Sequence, residues 1–279
     1  MSWIRLLLLC LLLSAQARAE TIRFAPLPLV DEKTLRAEYL PLLDYLGKQT
    51  GDTYRWTFLP KYPAMLQAMQ DGQVDLAILG PLPYIKLTER AKYFEPLVQF
   101  REKDGRADYD CVLVAFGADR TLKLKDIMGK RIGLTQAEST CGYFAVASML
   151  KTAGRAPGKD GNRYEYAGNH TKAALGVAQG RYDIAGLKRS QAEKYLGLNL
   201  HIIAESGPYP AFALVANTRT LPEARRAAIR QALLTVDDAT RASWGEAIRF
   251  GAVAARDAGY SAARARVDAL GGIPEAPGK

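Results

Sequence analysis

The stretch DLAILGPLPY, residues 75–84, decides the fold of this chain. Its first five residues form a short and mostly apolar run, which is the pattern of a buried β-strand. Gly80 and Pro81 end that run and shape a turn, because proline cannot continue a strand ladder. The stretch therefore predicts a strand, a tight turn and a short helix, which is the unit from which α/β folds are built.

The same alternation of short apolar strands and helices extends in both directions along the chain. Predicted strands lie at 21–25, 54–59, 75–79, 94–100, 111–116, 131–135, 164–167, 183–186, 200–204 and 211–216, and predicted helices at 34–48, 63–70, 140–153, 171–179, 190–196 and through 222–270. This alternation predicts an α/β architecture with largely parallel sheets. The sequence contains no repeat of fixed period.

Two breaks divide this pattern into two lobes. Residues 101–108 are polar and contain a glycine, and residues 207–212 contain a glycine and two prolines. Such compositions are typical of turns and connecting segments. We therefore place residues 20–103 and 212–279 in a first lobe and residues 104–211 in a second.

Residues 1–19 have the features of a secretory signal peptide. Arg5 is followed by an apolar run over 6–13, and Ala17-Arg18-Ala19 matches a cleavage site. The run is too short for a membrane-spanning helix, which needs about 20 apolar residues. We expect cleavage after Ala19 and a periplasmic protein that begins at Glu20.

The composition is that of a soluble globular protein, with 48% hydrophobic and 24% charged residues. The formal net charge is +9, and a basic balance helps to attract small anions. Lysines and arginines are dispersed and form no basic block, so we expect no nucleic-acid partner. The sequence has no P-loop, no H-E-x-x-H motif and no zinc-type cysteine pairing, so we expect no cofactor and no metal.

Without the leader and its Cys10, the cysteines are Cys111 and Cys141. Two cysteines in an oxidising compartment predict one disulfide bond. The sequence alone does not show whether their Cα atoms are close enough to be joined.

Ser139 and Thr140 follow a predicted strand and open a predicted helix. The first N–H groups of a helix are unpaired and lie at its positive end, so this position suits an anion. The two hydroxyls could add donors to an oxyanion. The alternative is that they only cap the helix.

Several motifs together resemble the phosphate/phosphite/phosphonate-binding family of ABC-transporter periplasmic proteins. They are residues 75–84, the STCGY run at 139–143, the GNH run at 168–170, the GRYD run at 180–183 and the segment 251–260. The resemblance spans most of the chain. It implies a two-lobed periplasmic-binding-protein fold of type II, with a ligand cleft between the lobes and a chain that crosses twice between them.

The resemblance also implies a set of ligand-binding residues. From the first lobe these are Tyr62 and Tyr84, and from the second they are Ser139, Thr140, Cys141, Gly142 and His170. A tyrosine can shape a pocket with its ring and reach the ligand with its hydroxyl. The alternatives are that the tyrosines are half-buried core residues and that His170 lies in a surface loop.

Two positions depart from the family pattern. Family members that bind aminoalkylphosphonates have an acid shortly after the strand that starts at Asp183, where this chain has Lys188. A lysine there would repel an ammonium and favour a smaller or more anionic ligand, unless it is simply a solvated charge. Cys141 stands where serine is common, and it either forms the disulfide or engages a thiophilic ligand.

We expect a monomeric binding protein that captures a small phosphate- or phosphonate-like oxyanion and delivers it to an ABC-transporter permease. One alternative is a sensor of an oxyanion such as an arsenic species, which would present its closed form to a histidine kinase. A minor alternative is an enzyme with Cys141 as nucleophile and His170 as base. No third group to orient the histidine is evident, so we do not expect an enzyme.

Overall fold

A computed structural model of the protein describes residues 19–117 and 122–272. The predicted signal peptide therefore lies outside the described residues, except for Ala19. Within the described ranges, no helix combines the length and the apolar character that crossing a membrane requires.

The first lobe is built on a six-stranded sheet. Its first segment contains β1 (Thr21–Ala25), α1 (Glu32–Thr50), β2 (Thr53–Trp56), α2 (Tyr62–Gln70), β3 (Leu76–Leu79), α3 (Pro81–Arg90) and β4 (Phe94–Phe100). Its second segment contains β10 (Ala213–Asn217), α7 (Glu223–Thr235), α8 (Asp238–Arg241), β11 (Ala252–Ala254) and α9 (Ser261–Leu270). The strand order is β11-β4-β10-β3-β1-β2.

The second lobe is built on a five-stranded sheet in the order β7-β6-β8-β5-β9. Its elements are β5 (Asp108–Phe116), β6 (Arg131–Leu134), α4, β7 (Arg163–Tyr166), α5 (His170–Ala178), β8 (Ile184–Lys188), α6 (Arg189–Glu193) and β9 (Leu200–Pro210). Helix α4 has a π-helical first turn, Thr140–Phe144, and continues as an α-helix over Ala145–Thr152.

The chain passes between the sheets twice, after β4 and again between β9 and β10. The predicted two-lobed α/β class is confirmed. Both sheets are mixed, however, so the prediction of largely parallel sheets was wrong. Strand β10 returns from the second lobe and pairs antiparallel with β3 and β4, and β5 enters that lobe antiparallel to β8. A strand that enters a lobe from the cleft starts where the parallel strands end, so it runs opposite to them.

Two further predictions need correction. Strand β9 continues to Pro210, so the predicted break at Gly207 lies inside a strand. The region 222–270 is not helical throughout, because β11 pairs with the free edge of β4. Gly251, with φ at 93°, turns the chain into that strand, a conformation that favours glycine.

Each lobe holds its parallel strands together with the same arginine–aspartate clamp. In the first lobe, Asp75 accepts hydrogen bonds from the backbone N–H of Arg23 at 2.7 Å and from its Nε at 2.8 Å. In the second lobe, Asp183 accepts from Arg131 in the same way, at 2.7 Å and 3.2 Å. The partners are 52 residues apart in both cases. The aspartate in each lobe thus joins the start of the third parallel strand to the first.

The six strands that pair in parallel end at the cleft, and a helix follows each of them. Helices α1, α2 and α3 follow β1, β2 and β3, and α4, α5 and α6 follow β6, β7 and β8. Strands in an open α/β sheet present their carboxyl ends to the ligand crevice. The fold therefore brings these helix starts to the space between the lobes.

Cys111 on β5 and Cys141 in the first turn of α4 form a disulfide bond, with Cα atoms 5.0 Å apart. Both residues are buried. The bond ties the start of α4, and with it the hydroxyls of Ser139 and Thr140, to the central strands of the second sheet.

We predict that the double substitution C111S/C141S lowers the free energy of unfolding by about 3–4 kcal/mol, because the bond closes a loop of 30 residues. Urea unfolding of the oxidised protein and of the variant measures the difference. Reductant should destabilise the parent protein and leave the variant unchanged. An equal response of both proteins to reductant would contradict the prediction.

Candidate functional site

A small cavity of about 20 Å³ lies where five of these helix starts, those of α2 to α6, meet. It offers roughly the space of one water molecule. Its walls come from both lobes and from the segments that join them: Leu27, Leu29, Tyr62, Gly80, Pro83, Tyr109, Ser139, Thr140, Cys141, His170, Lys188 and Phe212. Because helix N-termini carry unpaired N–H groups and a partial positive charge, the cavity suits an anion.

Six of the eight predicted site residues line this cavity. They are Tyr62, Ser139, Thr140, Cys141, His170 and Lys188. The other two, Tyr84 and Gly142, are buried close by but do not line it.

The structure does not bring Tyr84 to the cavity. Its hydroxyl donates a hydrogen bond to Asp257 Oδ1 at 2.8 Å, and its ring packs on Tyr260 with centroids 4.2 Å apart. Burial, followed by the hydrogen bond to the Asp257 carboxylate, raises the pKa of Tyr84. This side chain of α3 therefore anchors the C-terminal segment of the first lobe.

Gly142 allows the start of α4 to lie against the end of β6. A Cβ atom at this position would be 1.8 Å from Thr135 Oγ1, so no larger residue fits without a shift. Its N–H donates to Ser139 Oγ at 3.0 Å, and its carbonyl accepts from the N–H of Thr135 at 3.1 Å. Gly142 thus sets the position of the neighbouring hydroxyls and does not line the cavity.

Ser139 and Thr140 have different partners. Ser139 is the N-cap of α4 through its bond from Gly142, so the capping alternative holds for this residue. Thr140 Oγ1 instead accepts a hydrogen bond from the N–H of Leu82, at 3.1 Å, in the first turn of α3. The Thr140 hydroxyl therefore joins the helix starts of the two lobes.

His170 is the first residue of α5 and is buried, so the surface-loop alternative is wrong. Its Nδ1 atom has no hydrogen-bond partner within the part of the chain that the structure describes. Burial, and then the charge of Lys188, lowers the pKa of His170 to about 4. The ring is therefore neutral at pH 7 and carries one N–H donor and one acceptor.

Lys188 is also buried, so it is not a solvated charge. Its Nζ lies 2.6 Å from Glu102 Oε1 and over the rings of Tyr109 and Phe212, at 4.8 and 4.6 Å from their centroids. Burial lowers the pKa of Lys188, while the Glu102 carboxylate acts in the opposite direction. The ammonium is held by groups that come from both connections between the lobes.

Cys141 lines the cavity as half of the disulfide with Cys111. In this form neither sulfur is a thiol that could attack a substrate or bind a thiophilic ligand. Within the described ranges, no group of three or more His, Cys, Asp or Glu side chains could hold a metal ion.

Sequence reasoning missed half of the residues around the cavity. These are Leu27, Leu29, Gly80, Pro83, Tyr109 and Phe212. Tyr109 and Phe212 lie directly beside the two connections between the lobes, which the glycine and proline pattern had located. A cleft between lobes is bounded by its connections, so their flanking aromatic residues were the signal that could have been used.

A larger side cavity of about 470 Å³ adjoins the first one and shares five residues with it. The shared residues are Leu29, Tyr109, His170, Lys188 and Phe212. Glu102 lines only the side cavity. The Lys188–Glu102 pair therefore lies at the boundary between the two spaces.

We predict that His170 makes the protein less stable as the pH falls. The folded ring resists protonation until about pH 4, whereas an unfolded histidine takes up a proton near 6.5, so stability is lost between these values. Relative to the variant H170Q, the parent should lose about 2 kcal/mol between pH 7 and pH 5. Urea unfolding at both pH values measures this, with H201Q as the matched histidine control. Equal pH dependence in the parent and H170Q would contradict it.

Comparison with known proteins relates this geometry to a family. The profile of the family described as ABC transporter, phosphonate, periplasmic substrate-binding protein matches residues 24–260. The phosphate-import protein PhnD of Mycolicibacterium smegmatis is 28% identical over 178 residues, which cover 61% of this chain and 56% of that protein. The phosphonates-binding periplasmic protein of Escherichia coli is 26% identical over 175 residues, covering 61% and 51%. The chain thus matches about half the length of these relatives.

Solved structures show the same fold. A binding protein component of an ABC phosphonate transporter from Pseudomonas aeruginosa has a TM-score of 0.79 and 21% identity, covering 91% of this chain and 87% of that one. PhnD1 from Prochlorococcus marinus, solved in complex with methylphosphonate, has a TM-score of 0.79 and 17% identity, covering 91% and 99%. With the profile matching most of its length, the chain belongs to the family of periplasmic substrate-binding proteins of phosphonate ABC transporters.

Proposed function

We propose that this chain captures a small phosphonate- or phosphate-like oxyanion between its lobes and delivers it to the permease of an ABC transporter. The observation that carries the proposal is the convergence of five helix starts, two cavity-lining hydroxyl residues of α4, a neutral histidine and a lysine on one cavity. Membership of the phosphonate-binding family supports the same ligand class.

The oxyanion takes the place of the contact between Thr140 and Leu82. A cavity of about 20 Å³ is too small for a phosphonate, so the lobes must part at this contact to admit one. The Thr140 hydroxyl and the Leu82 N–H, which now bind each other, then both face the ligand. Hydrogen bonds to a charged ligand are each worth about 1.5–3 kcal/mol, so a few of them support micromolar binding.

The remaining contacts come from the other walls. Tyr62 at the start of α2 closes from the first lobe, and His170 at the start of α5 supplies a ring N–H from the second. Ser139 and Cys141 hold the first turn of α4 in position beside them. Lys188 lies at the edge of the site, with its ammonium paired to Glu102. Tyr84 and Gly142 act through packing.

The proposed site of action is the periplasm, with residues 1–19 as a cleavable leader and a monomer as the acting form. The family description includes a periplasmic location. The backbone N–H of Glu20, the first residue after the proposed cleavage site, donates to Asp52 Oδ1 at 3.0 Å. The folded part of the chain therefore reaches to that site. The family match favours delivery to a transporter over presentation to a histidine kinase.

Isothermal titration calorimetry of the chain purified from the periplasm tests the proposed ligand class. We expect methylphosphonate, phosphite or phosphate to bind with a Kd in the micromolar range or below. Preferred binding of arsenite or arsenate, dependent on the oxidation state of the two cysteines, would support the sensor alternative instead. Absence of binding by every oxyanion tested would refute the proposed function.

The variant T140V tests the position of the site. Valine keeps the shape of threonine but removes the hydroxyl, so the affinity for the best oxyanion should fall about 10- to 100-fold. T152V is the matched control on the same helix, because Thr152 Oγ1 donates to the carbonyl of Met149 at 2.7 Å and Thr152 does not line the cavity. Equal affinities for T140V and T152V would show that the site is placed wrongly.

Cleavage of the leader is a separate prediction. Intact mass and N-terminal sequencing of the periplasmic protein should give a chain that begins at Glu20, because Ala17-Arg18-Ala19 matches the small-residue cleavage pattern. The variant A19R, which places a large charged residue before the cleaved bond, should accumulate as the precursor. A mature N-terminus elsewhere would contradict the assignment.

A further inference from the structure

The surroundings of the Lys188 ammonium are those of a bound cation. Two aromatic rings, Tyr109 and Phe212, lie within 4.8 Å of the nitrogen, and Glu102 Oε1 lies 2.6 Å from it. Aromatic faces together with a carboxylate are the groups with which proteins bind ammonium ligands. We call Glu102, Tyr109 and Phe212 the ammonium cage.

The ammonium cage lies within reach of a ligand in the small cavity. Tyr109 and Phe212 line that cavity, and with Glu102 they also line the side cavity of about 470 Å³. A tail attached to an oxyanion in the small cavity would therefore meet the cage as it entered the side cavity. In the structure the ammonium of Lys188 occupies the cage.

Lys188 reaches the cage from the end of β8, where it is also the N-cap residue of α6. At the corresponding place of the first lobe, the residue before α3 is Gly80, which has no side chain to fill any space. The Lys188 side chain is therefore not required for a helix to begin there. Its ammonium is already satisfied by Glu102 and the two rings, which leaves it less free to bind an oxyanion directly.

We propose that Lys188 is a built-in occupant of an ammonium subsite and thereby restricts the protein to oxyanions without a cationic tail, such as methylphosphonate, phosphite or phosphate. This inference rests on the proposed function, because it assumes that an oxyanion occupies the small cavity. It further implies that a chain without the Lys188 side chain exposes a subsite for aminoalkylphosphonates, with Glu102 free to pair with their ammonium.

The experiment compares two ligands in four proteins purified from the periplasm. Isothermal titration gives the Kd of methylphosphonate and of 2-aminoethylphosphonate for the parent, K188A, K188M and the double variant E102Q/K188A. The quantity of interest is the ratio of the two Kd values in each protein, since a general loss of affinity cancels in this ratio. Far-UV circular dichroism melting verifies folding, and K188S replaces K188A if the latter does not fold.

We expect the parent to favour methylphosphonate and K188A to shift the ratio towards 2-aminoethylphosphonate by about 30-fold or more, the effect of a desolvated cation–π contact with a carboxylate partner. K188M should not show the shift, because its apolar chain still fills the cage. E102Q/K188A should lose most of the shift, because the carboxylate is absent.

Three results would overturn the inference: a parent that binds both phosphonates equally well, a folded K188A with an unchanged ratio, or a folded K188A that binds neither ligand. The last result would identify Lys188 as a direct ligand of the oxyanion. In each of these cases the parent still binds methylphosphonate. A parent that binds no oxyanion is a different outcome, which refutes the proposed function itself.

Discussion

Backbone N–H groups at the start of a helix have no partner within that helix, and this protein brings five such starts to one cavity. The arrangement follows from the ends of parallel strands in two sheets that face each other. Each of these helices begins with a residue that faces the cavity or stands next to one that does. The partial positive charge of these helix starts gives the cavity a positive electrostatic potential, to which the polar side chains of the site add.

Several polar contacts join the lobes at the helix starts around the cavity. Besides the bond between Thr140 and Leu82, Gln136 accepts a hydrogen bond from the N–H of Tyr62 at 3.3 Å. Lys86 pairs with Glu138 at 3.0 Å on the same side of the cleft. A neutral hydrogen bond contributes about 0.5–1.5 kcal/mol and a partly exposed ion pair less. Each of these contacts is therefore weak enough to be exchanged for a contact with a ligand, whereas the disulfide bond and the arginine–aspartate clamps act within single lobes.

Sequence reasoning identified the two-lobed fold, the disulfide partners and six of the residues around the cavity, because these depend on local patterns and on motif order. It failed where the position or partner of a residue depends on residues that are distant in the sequence. Tyr84 lies just after the end of a strand, which is where residues of the cleft are expected, but its hydroxyl donates to Asp257 instead. Strand β11 has the composition of a helix, but the free edge of β4 pairs with it. The partner of Lys188, Glu102, is 86 residues away and nothing local indicates it.

The twin arginine–aspartate clamps point to a common plan for the two halves of the molecule. Corresponding helix starts, Asp31 with Ser139, Tyr62 with His170 and Gly80 with Lys188, are each separated by 108 residues. Duplication of an ancestral half would leave such a correspondence if the backbone was retained in both copies while their side chains diverged. The cleft is thus a nearly symmetric frame with unlike chemistry on its two sides. The two sides of a bound ligand therefore contact different side chains. Substitutions in one lobe can change the contacts with one side of the ligand while the contacts with the other side stay the same.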